Sequence, residues 1–194
     1  MDLTVRNEEA FIDTKLEFSL AVKELMKTKS LDKISVSSIC KKCNLTRQTF
    51  YRNFQDKYDL VNWYFQQLCN KSFLLMGVKL DLHEALYEKF KFIEDEKIFF
   101  SQAFKSDDYN NLKNYDFEMI YKFYEKAIVT QTKKPLSKDF SFLLEMYCKG
   151  SIYMTVKWAT GYLEISKEKM VDLLIESLPE ALKQYLIQLN KINS

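Results

Sequence analysis

The stretch Ser35-Val-Ser-Ser-Ile-Cys-Lys-Lys-Cys-Asn-Leu-Thr-Arg-Gln-Thr-Phe-Tyr-Arg-Asn-Phe54 decides the fold. Ser35 is placed to cap a short helix, Val36 to Cys43, because its hydroxyl accepts from a free amide of the first turn. Asn44 follows, the non-glycine residue most at ease in the left-handed conformation that ends a helix. Thr46 then caps a second short helix, Arg47 to Asn53. Two helices of two turns, joined by about three residues, have helix-turn-helix spacing. Val36, Ile39, Leu45, Phe50 and Phe54 supply a small core, and Cys40 and Cys43 fit where the helices cross. Arg47, Gln48, Thr49, Tyr51, Arg52 and Asn53 are left exposed. These types read a DNA groove: Arg pairs with guanine, Gln and Asn with adenine, and Thr meets a thymine methyl. Lys23 to Lys57 holds nine basic residues against Glu24, Asp32 and Asp56, a local balance of +6. An excess of that size suits a polyanion. The alternative, a helical hairpin with an ordinary polar surface, is disfavoured by spacing, composition and charge together.

Working outward, residues 8–27 predict an amphipathic helix on Phe11, Phe18, Ala21/Val22 and Leu25. Asp56 is placed to cap a long helix from Lys57 to about Leu75, with Leu60, Tyr64, Leu68 and Phe73 on one face. Beyond Gly77, Leu82, Leu86, Phe90 and Ile93 recur at helical steps, and Phe100 and Phe104 extend the stripe. Glu94-Asp95-Glu96 marks a break. Further helices are expected over Asn110–Thr132, Ser137–Thr160 and Ser166 to about Asn190, the last kinked or restarted at Pro179.

Composition agrees with an all-α chain. Its 194 residues hold only three Gly and two Pro, well below average usage of roughly 7% and 5%. That disfavours sandwiches, barrels and glycine-rich nucleotide loops. Hydrophobic residues at 47% support a sizeable core, and the overall charge of +2 confines any basic surface to a patch. The expected organisation is a three-helix DNA-binding domain over 1–56, a connecting helix over 57–77, and a helical effector and dimerisation domain over 78–194. The N-terminus has no apolar core of a signal peptide, and no apolar run nears the ~20 residues of a membrane span. A soluble, cytoplasmic, nucleoid-associated protein without membrane contact is expected.

The segment from Ile34 to Trp63, above all Thr46-Arg-Gln-Thr-Phe-Tyr-Arg-Asn-Phe-Gln-Asp-Lys57, closely resembles the DNA-binding domain of the TetR family of bacterial transcriptional regulators. Asn44 stands where the family usually has Gly, and Gln48 where a small residue is common. The resemblance implies that Thr46 opens the recognition helix and that Arg47, Gln48 and Thr49 meet base edges. It implies that Tyr51 reaches a phosphate and that Asn53 contacts a base or the backbone. Lys57 binds phosphate at a helix start that itself favours anions. Ser37 adds a backbone contact, and Arg52 at least screens the backbone. More loosely, Phe92-Ile-Glu-Asp-Glu-Lys-Ile-Phe-Phe100 and the stretch from Gly150 through Trp158-Ala-Thr-Gly161 are similar to a Firmicutes-type, DhaS-like branch of the family. That likeness leaves open whether the C-terminal domain senses a small molecule or docks a protein co-regulator.

Residues 137–158 are apolar on two sides. Phe140, Leu144, Tyr147, Met154 and Trp158 form one face; Leu143, Met146 and Tyr153, with Gly150 in line, form another. A helix apolar on two sides must be covered on two sides. One cover is its own domain; the second is either the rest of the same chain or a second copy. The family resemblance implies a homodimer through the last two helices, with Leu143, Met146, Gly150, Tyr153, Leu174 and Leu178 at the seam. It then implies a near-palindromic double-stranded operator. Aromatics between residues 84 and 128 nominate an effector pocket at Phe90, Phe100, Phe104 and the hydroxyls of Tyr121, Tyr124 and Tyr147. The opposing reading is that these rings are simply core.

Cys40-x-x-Cys43 lacks a second Cys/His pair at finger spacing, so no metal is expected there. His83 has no partners that suggest a triad. No nucleotide-binding or hydrolase motif occurs. Neither a cofactor nor enzymatic activity is expected, and a DNA-binding regulator remains, controlled by a small effector or by a protein partner.

Overall fold

The computed structural model describes residues 3–70 and 80–187, with side chains from residue 13 onward. Among the described residues there are ten α-helices. The first, α1 (Leu3–Met26), starts earlier than residue 8 and buries Phe18, Ala21, Val22 and Met26. A 3-10 turn at Leu31–Lys33 leads into α2 (Val36–Cys43). Ser35 accepts from the Ser38 N–H at 3.1 Å, and Ser38 returns the bond to the Ser35 N–H at 3.2 Å. Asn44 closes α2 in the left-handed region at φ 57°, and Leu45 N–H reaches back to the Cys40 carbonyl at 3.0 Å. That return bond satisfies a terminal carbonyl and turns the chain sharply.

Thr46 caps α3 (Arg47–Asn53), and Asp56 caps α4 (Lys57–Asn70) by accepting from Tyr58 and Asp59 N–H at 2.7 and 2.8 Å. The expected end of this helix at Leu75, with Phe73 and Gly77, lies outside the described residues. Phe18 meets Phe50 edge-on at 5.1 Å and Phe54 at 6.3 Å. Helix α3 and its C-terminal cap thereby lock to α1 through buried rings.

The second domain begins with α5 (Leu82–Asp95), opened by a capping box between Asp81 and Glu84. The backbone breaks at Glu96 (φ −111°, ψ 32°), within the acidic cluster, before α6 (Lys97–Lys105). Then come α7 (Leu112–Thr132), α8 (Lys138–Ala159), α9 (Lys167–Glu176) and α10 (Glu180–Leu186). Of the two outcomes expected at Pro179, a kink or a restart, the chain takes the restart. Pro179 has no N–H to continue the ladder, so it opens α10 instead. The expected end at Asn190 lies outside the described residues. Helix α7 packs on α8 and α5 on α9, which closes one apolar core.

The two domains are pinned together. Lys23 of α1 donates to the Tyr64 hydroxyl at 2.9 Å and pairs with Glu96, which also accepts from Tyr64 at 2.9 Å. Ser106, just past α6, donates to Asp32 at 2.6 Å. Tyr64 and Phe99 stack edge-on at 5.1 Å beside this network. The body that carries the recognition helix is thereby bonded to the residues at both ends of α6, Glu96 and Ser106.

Candidate nucleic-acid interface

The recognition helix is short, so its start matters. Thr46 Oγ1 accepts from the Thr49 N–H at 3.0 Å and lies 2.9 Å from the Thr49 hydroxyl. Such a cap stabilises a helix by about 1 kcal/mol. Phe50 is fully buried and anchors the inner face. Ser37, Thr46, Arg47, Gln48, Tyr51 and Arg52 are exposed, while Thr49, Asn53 and Lys57 are half-buried. The Arg47 guanidinium lies over the Tyr51 ring at 5.8 Å, which pre-orders a flexible side chain at the helix start.

Two of the expected contacts look different in three dimensions. Asn53 donates to the Thr49 carbonyl at 2.8 Å, and its own oxygen is buried without a protein partner. It therefore braces α3 from behind the exposed row. Lys57 does not project freely. Its ammonium donates to the carbonyls of Asp32 and Ile34 at 2.8 and 2.9 Å, and burial pushes its pKa down against the pull of Asp32. Two of its three N–H donors thus clamp the α1–α2 connection to α4. Sequence periodicity carries no sign of this tertiary clamp.

Cys40 is buried and Cys43 half-buried; both are free thiols raised in pKa by burial. Among the described residues no group of three or more metal-ligating side chains gathers. His83 sits at the exposed start of α5, 3.4 Å from Asp172. No described helix is long and apolar enough to cross a membrane.

The nominated effector aromatics do not share one cavity. Phe90, Tyr124 and Tyr147 line a void of about 10 Å³, room for a single water probe at most. Phe100 and Phe104 stack on each other at 6.0 Å within the core. Tyr121 lies half-buried beside Phe117. Tyr147 donates its hydroxyl to the Leu174 carbonyl at 3.1 Å, so no ligand is needed to satisfy it. The core also holds a buried ion pair. Lys89 donates to both Asp116 oxygens at 2.8 Å, with the two side chains 5% and 0% exposed.

Of the nominated seam residues, Met146 and Tyr153 stand 61% and 65% exposed on α8, beside Phe142 at 65%. Gly150 lies on the same exposed side, and a Cβ there would meet nothing within 4 Å. Leu143 is half-buried. Leu174 and Leu178 are corrected: they are 6% and 3% exposed and belong to the chain's own core. The residue that α9 turns outward is Leu173, 40% exposed.

Comparison with known proteins matches this architecture at both ends. Residues 21–63 match the family described as "Bacterial regulatory proteins, tetR family". Residues 81–180, more than half of the chain, match "Transcriptional regulator C-terminal region". The HTH-type dhaKLM operon transcriptional activator DhaS of Lactococcus lactis subsp. lactis (strain IL1403) is 28% identical over 132 residues, 66% of this chain and 67% of that protein. A solved structure of the dihydroxyacetone kinase operon activator DhaS superposes with a TM-score of 0.64 at 23% identity, covering 90% of this chain and 99% of that one. At that identity the superposition shows the shared fold. Together with the capped recognition helix and its exposed polar row, the two family matches place the chain in the TetR family of bacterial regulatory proteins, as a helix-turn-helix, DNA-binding transcriptional regulator and not an enzyme.

Proposed function

We propose that the chain acts in the bacterial cytoplasm as a homodimer that reads a near-palindromic operator with α3 in the major groove. The observation that carries this reading is the exposed row Thr46, Arg47, Gln48, Tyr51 and Arg52 over a fully buried Phe50. Arg47, Gln48 and Thr49 meet base edges, Tyr51 and Ser37 meet phosphates, and Arg52 screens the backbone. Lys57 has one N–H left for a phosphate, and Asn53 acts mainly by holding α3. Phe142, Met146, Gly150 and Tyr153 of α8, with Leu173 of α9, form the twofold seam. Two recognition helices would then sit about 34 Å apart, one helical turn of DNA.

Control of DNA affinity belongs to the C-terminal domain. Two kinds of controller remain in view, a small effector and a protein co-regulator. The packed interior around Phe90, Tyr124 and Tyr147 disfavours a preformed apolar pocket there and supports control from the surface.

Selection of bound duplexes from a random library tests the reading. The parent should enrich two inverted half-sites with centres about 10 base pairs apart. An Arg47→Ala variant should relax one position in each half-site. Enrichment of single, unpaired sites by the parent would sink the twofold part of the proposal.

A further inference from the structure

Three acids interrupt the basic window from Lys23 to Lys57. Asp56 caps α4, and Glu24 pairs with Lys27. Asp32 instead joins the two domains. Its Oδ1 accepts from the Tyr58 hydroxyl of α4 at 3.0 Å and from the Ser106 hydroxyl, just past α6, at 2.6 Å. Its backbone carbonyl takes the Lys57 ammonium at 2.8 Å. Ser106 is 1% exposed, and its own oxygen accepts from the Asp108 N–H at 3.3 Å. Hydroxyls donating to an ionised carboxylate make short, charge-assisted bonds. The turn before α2 is thus bonded to α4 and to the second domain at one oxygen.

The other end of α6 repeats the arrangement. Glu96 Oε1 accepts from the Tyr64 hydroxyl of α4 at 2.9 Å and pairs with Lys23 of α1. Each anchor therefore unites one residue of the DNA-binding domain, one tyrosine of α4 and one residue at an end of α6. Helix α6 has nine residues, so at 1.5 Å per residue the anchors stand about 13 Å apart along it. A joint held at one point pivots about that point. Held at two separated points, it turns only if a bond breaks.

We infer that Asp32 and Glu96 are positioning residues for operator recognition: they fix the tilt of the DNA-binding domain on the second domain, and with it the half-site spacing that the dimer accepts. This rests on the reading of a homodimer on inverted half-sites. Each base pair of spacing moves the half-sites apart by about 3.4 Å, so a loosened joint admits neighbouring spacings. Neither acid needs to touch DNA. Asp32 is exposed and Glu96 is 27% exposed, so both can be changed without opening the core.

The test compares two double variants of the full chain, Asp32→Ala/Glu96→Ala and Asp32→Asn/Glu96→Gln. Both lose the same two charges, but only the amides keep an acceptor oxygen for each hydroxyl. Charge alone would therefore affect the two variants alike. The first measurement needs no DNA: the distance between spin labels at Lys41→Cys in α2 and Lys126→Cys in α7, in a Cys43→Ser background. Labelled chains are diluted into unlabelled ones so that only distances within a chain are read. The parent and the amide variant should give one narrow distribution, and the alanine variant a broader or displaced one. The second measurement is selection of duplexes from a library in which half-site spacing varies. The parent and the amide variant should enrich one spacing. The alanine variant should also enrich spacings one or two base pairs away, its discrimination among them falling several-fold. The inference is overturned if the alanine variant, shown to be folded by circular dichroism, keeps the parent's distance distribution or the parent's spacing. An amide variant as loose as the alanine variant would overturn it too. Enrichment of single sites by the parent defeats the twofold reading and the spacing claim with it, and the distance measurement then decides whether the two acids fix the tilt.

Discussion

Replacing Lys89 by Met is the sharpest probe of how the second domain is held together. Met keeps the length and packing of the lysine stem and removes the charge. Asp116 is then left fully buried, with 0% exposure and without the ammonium that pairs with it. Breaking one side of a buried pair typically costs 3–5 kcal/mol. A second route gives a similar figure. A carboxyl that cannot stay charged takes up a proton, and at pH 7 this costs about 4 kcal/mol from a reference pKa near 3.9. Burial already pushes the Asp116 pKa up in the parent, and only Lys89 pulls it back. Without Lys89 the folded value rises further above the unfolded one. The stability lost in the variant is therefore absent below pH 4 and grows as pH rises, by up to about 1.4 kcal/mol per unit. Urea denaturation of Lys89→Met at pH 7 and pH 5 reads this directly. The double variant Lys89→Met/Asp116→Leu should return to near the parent at both pH values, because an apolar pair of similar volume avoids desolvation altogether. A single variant that loses under about 1 kcal/mol, with no pH dependence, would refute the reasoning. So would a double variant as unstable as the single.

Other outcomes follow from the same geometry. Met146→Glu puts a charge into the outward stripe of α8 and should shift sedimentation from dimer to monomer with the helical content unchanged; a persisting dimer moves the seam elsewhere. Lys57→Ala should lower thermal stability as well as DNA affinity, since the ammonium clamps two carbonyls; loss of affinity alone would mean that the clamp is idle in solution. Thr46→Ala should cost about 1 kcal/mol of stability through the lost cap, measured by denaturant midpoint, and Thr46→Ser should restore most of it. The thiols of Cys69 and Cys148 are pushed up by burial, that of Cys148 to about 12. Both should resist iodoacetamide at pH 8 until the chain unfolds, and rapid labelling of the folded protein would contradict the packed core.

Much of this was legible in the sequence because capping is local. Ser35, Asn44, Thr46, Asp56, Ser137 and Ser166 announce helix ends within four residues of where they act, and the structure uses each of them there. The exposed row on α3 is equally local, since Phe50 and Phe54 fix which face turns inward. Long-range pairings were not visible. Lys89 falls on the same stripe as Leu82, Leu86, Phe90 and Ile93, and Asp116 on the stripe of Leu112, Ile120, Tyr124 and Ile128. Their period marks them as buried charges, but nothing in one sequence says that they meet. The family resemblance points to the last two helices as the seam, but it does not say which leucines of those helices turn outward, and Leu174 and Leu178 turn inward. Asn62 and Asn110 meet only because α4 packs beside the turn before α7, so no spacing rule reaches that contact.

Fluorescence anisotropy of a labelled duplex carrying the selected operator tests the central claim most directly, with the parent and Arg47→Ala titrated across a range of salt. If α3 reads bases, Arg47→Ala loses about 1–3 kcal/mol on the operator, keeps its affinity for unrelated duplex, and stays folded. If the parent binds operator and unrelated duplex alike, or Arg47→Ala binds the operator as the parent does at every salt concentration, the recognition helix has been misassigned.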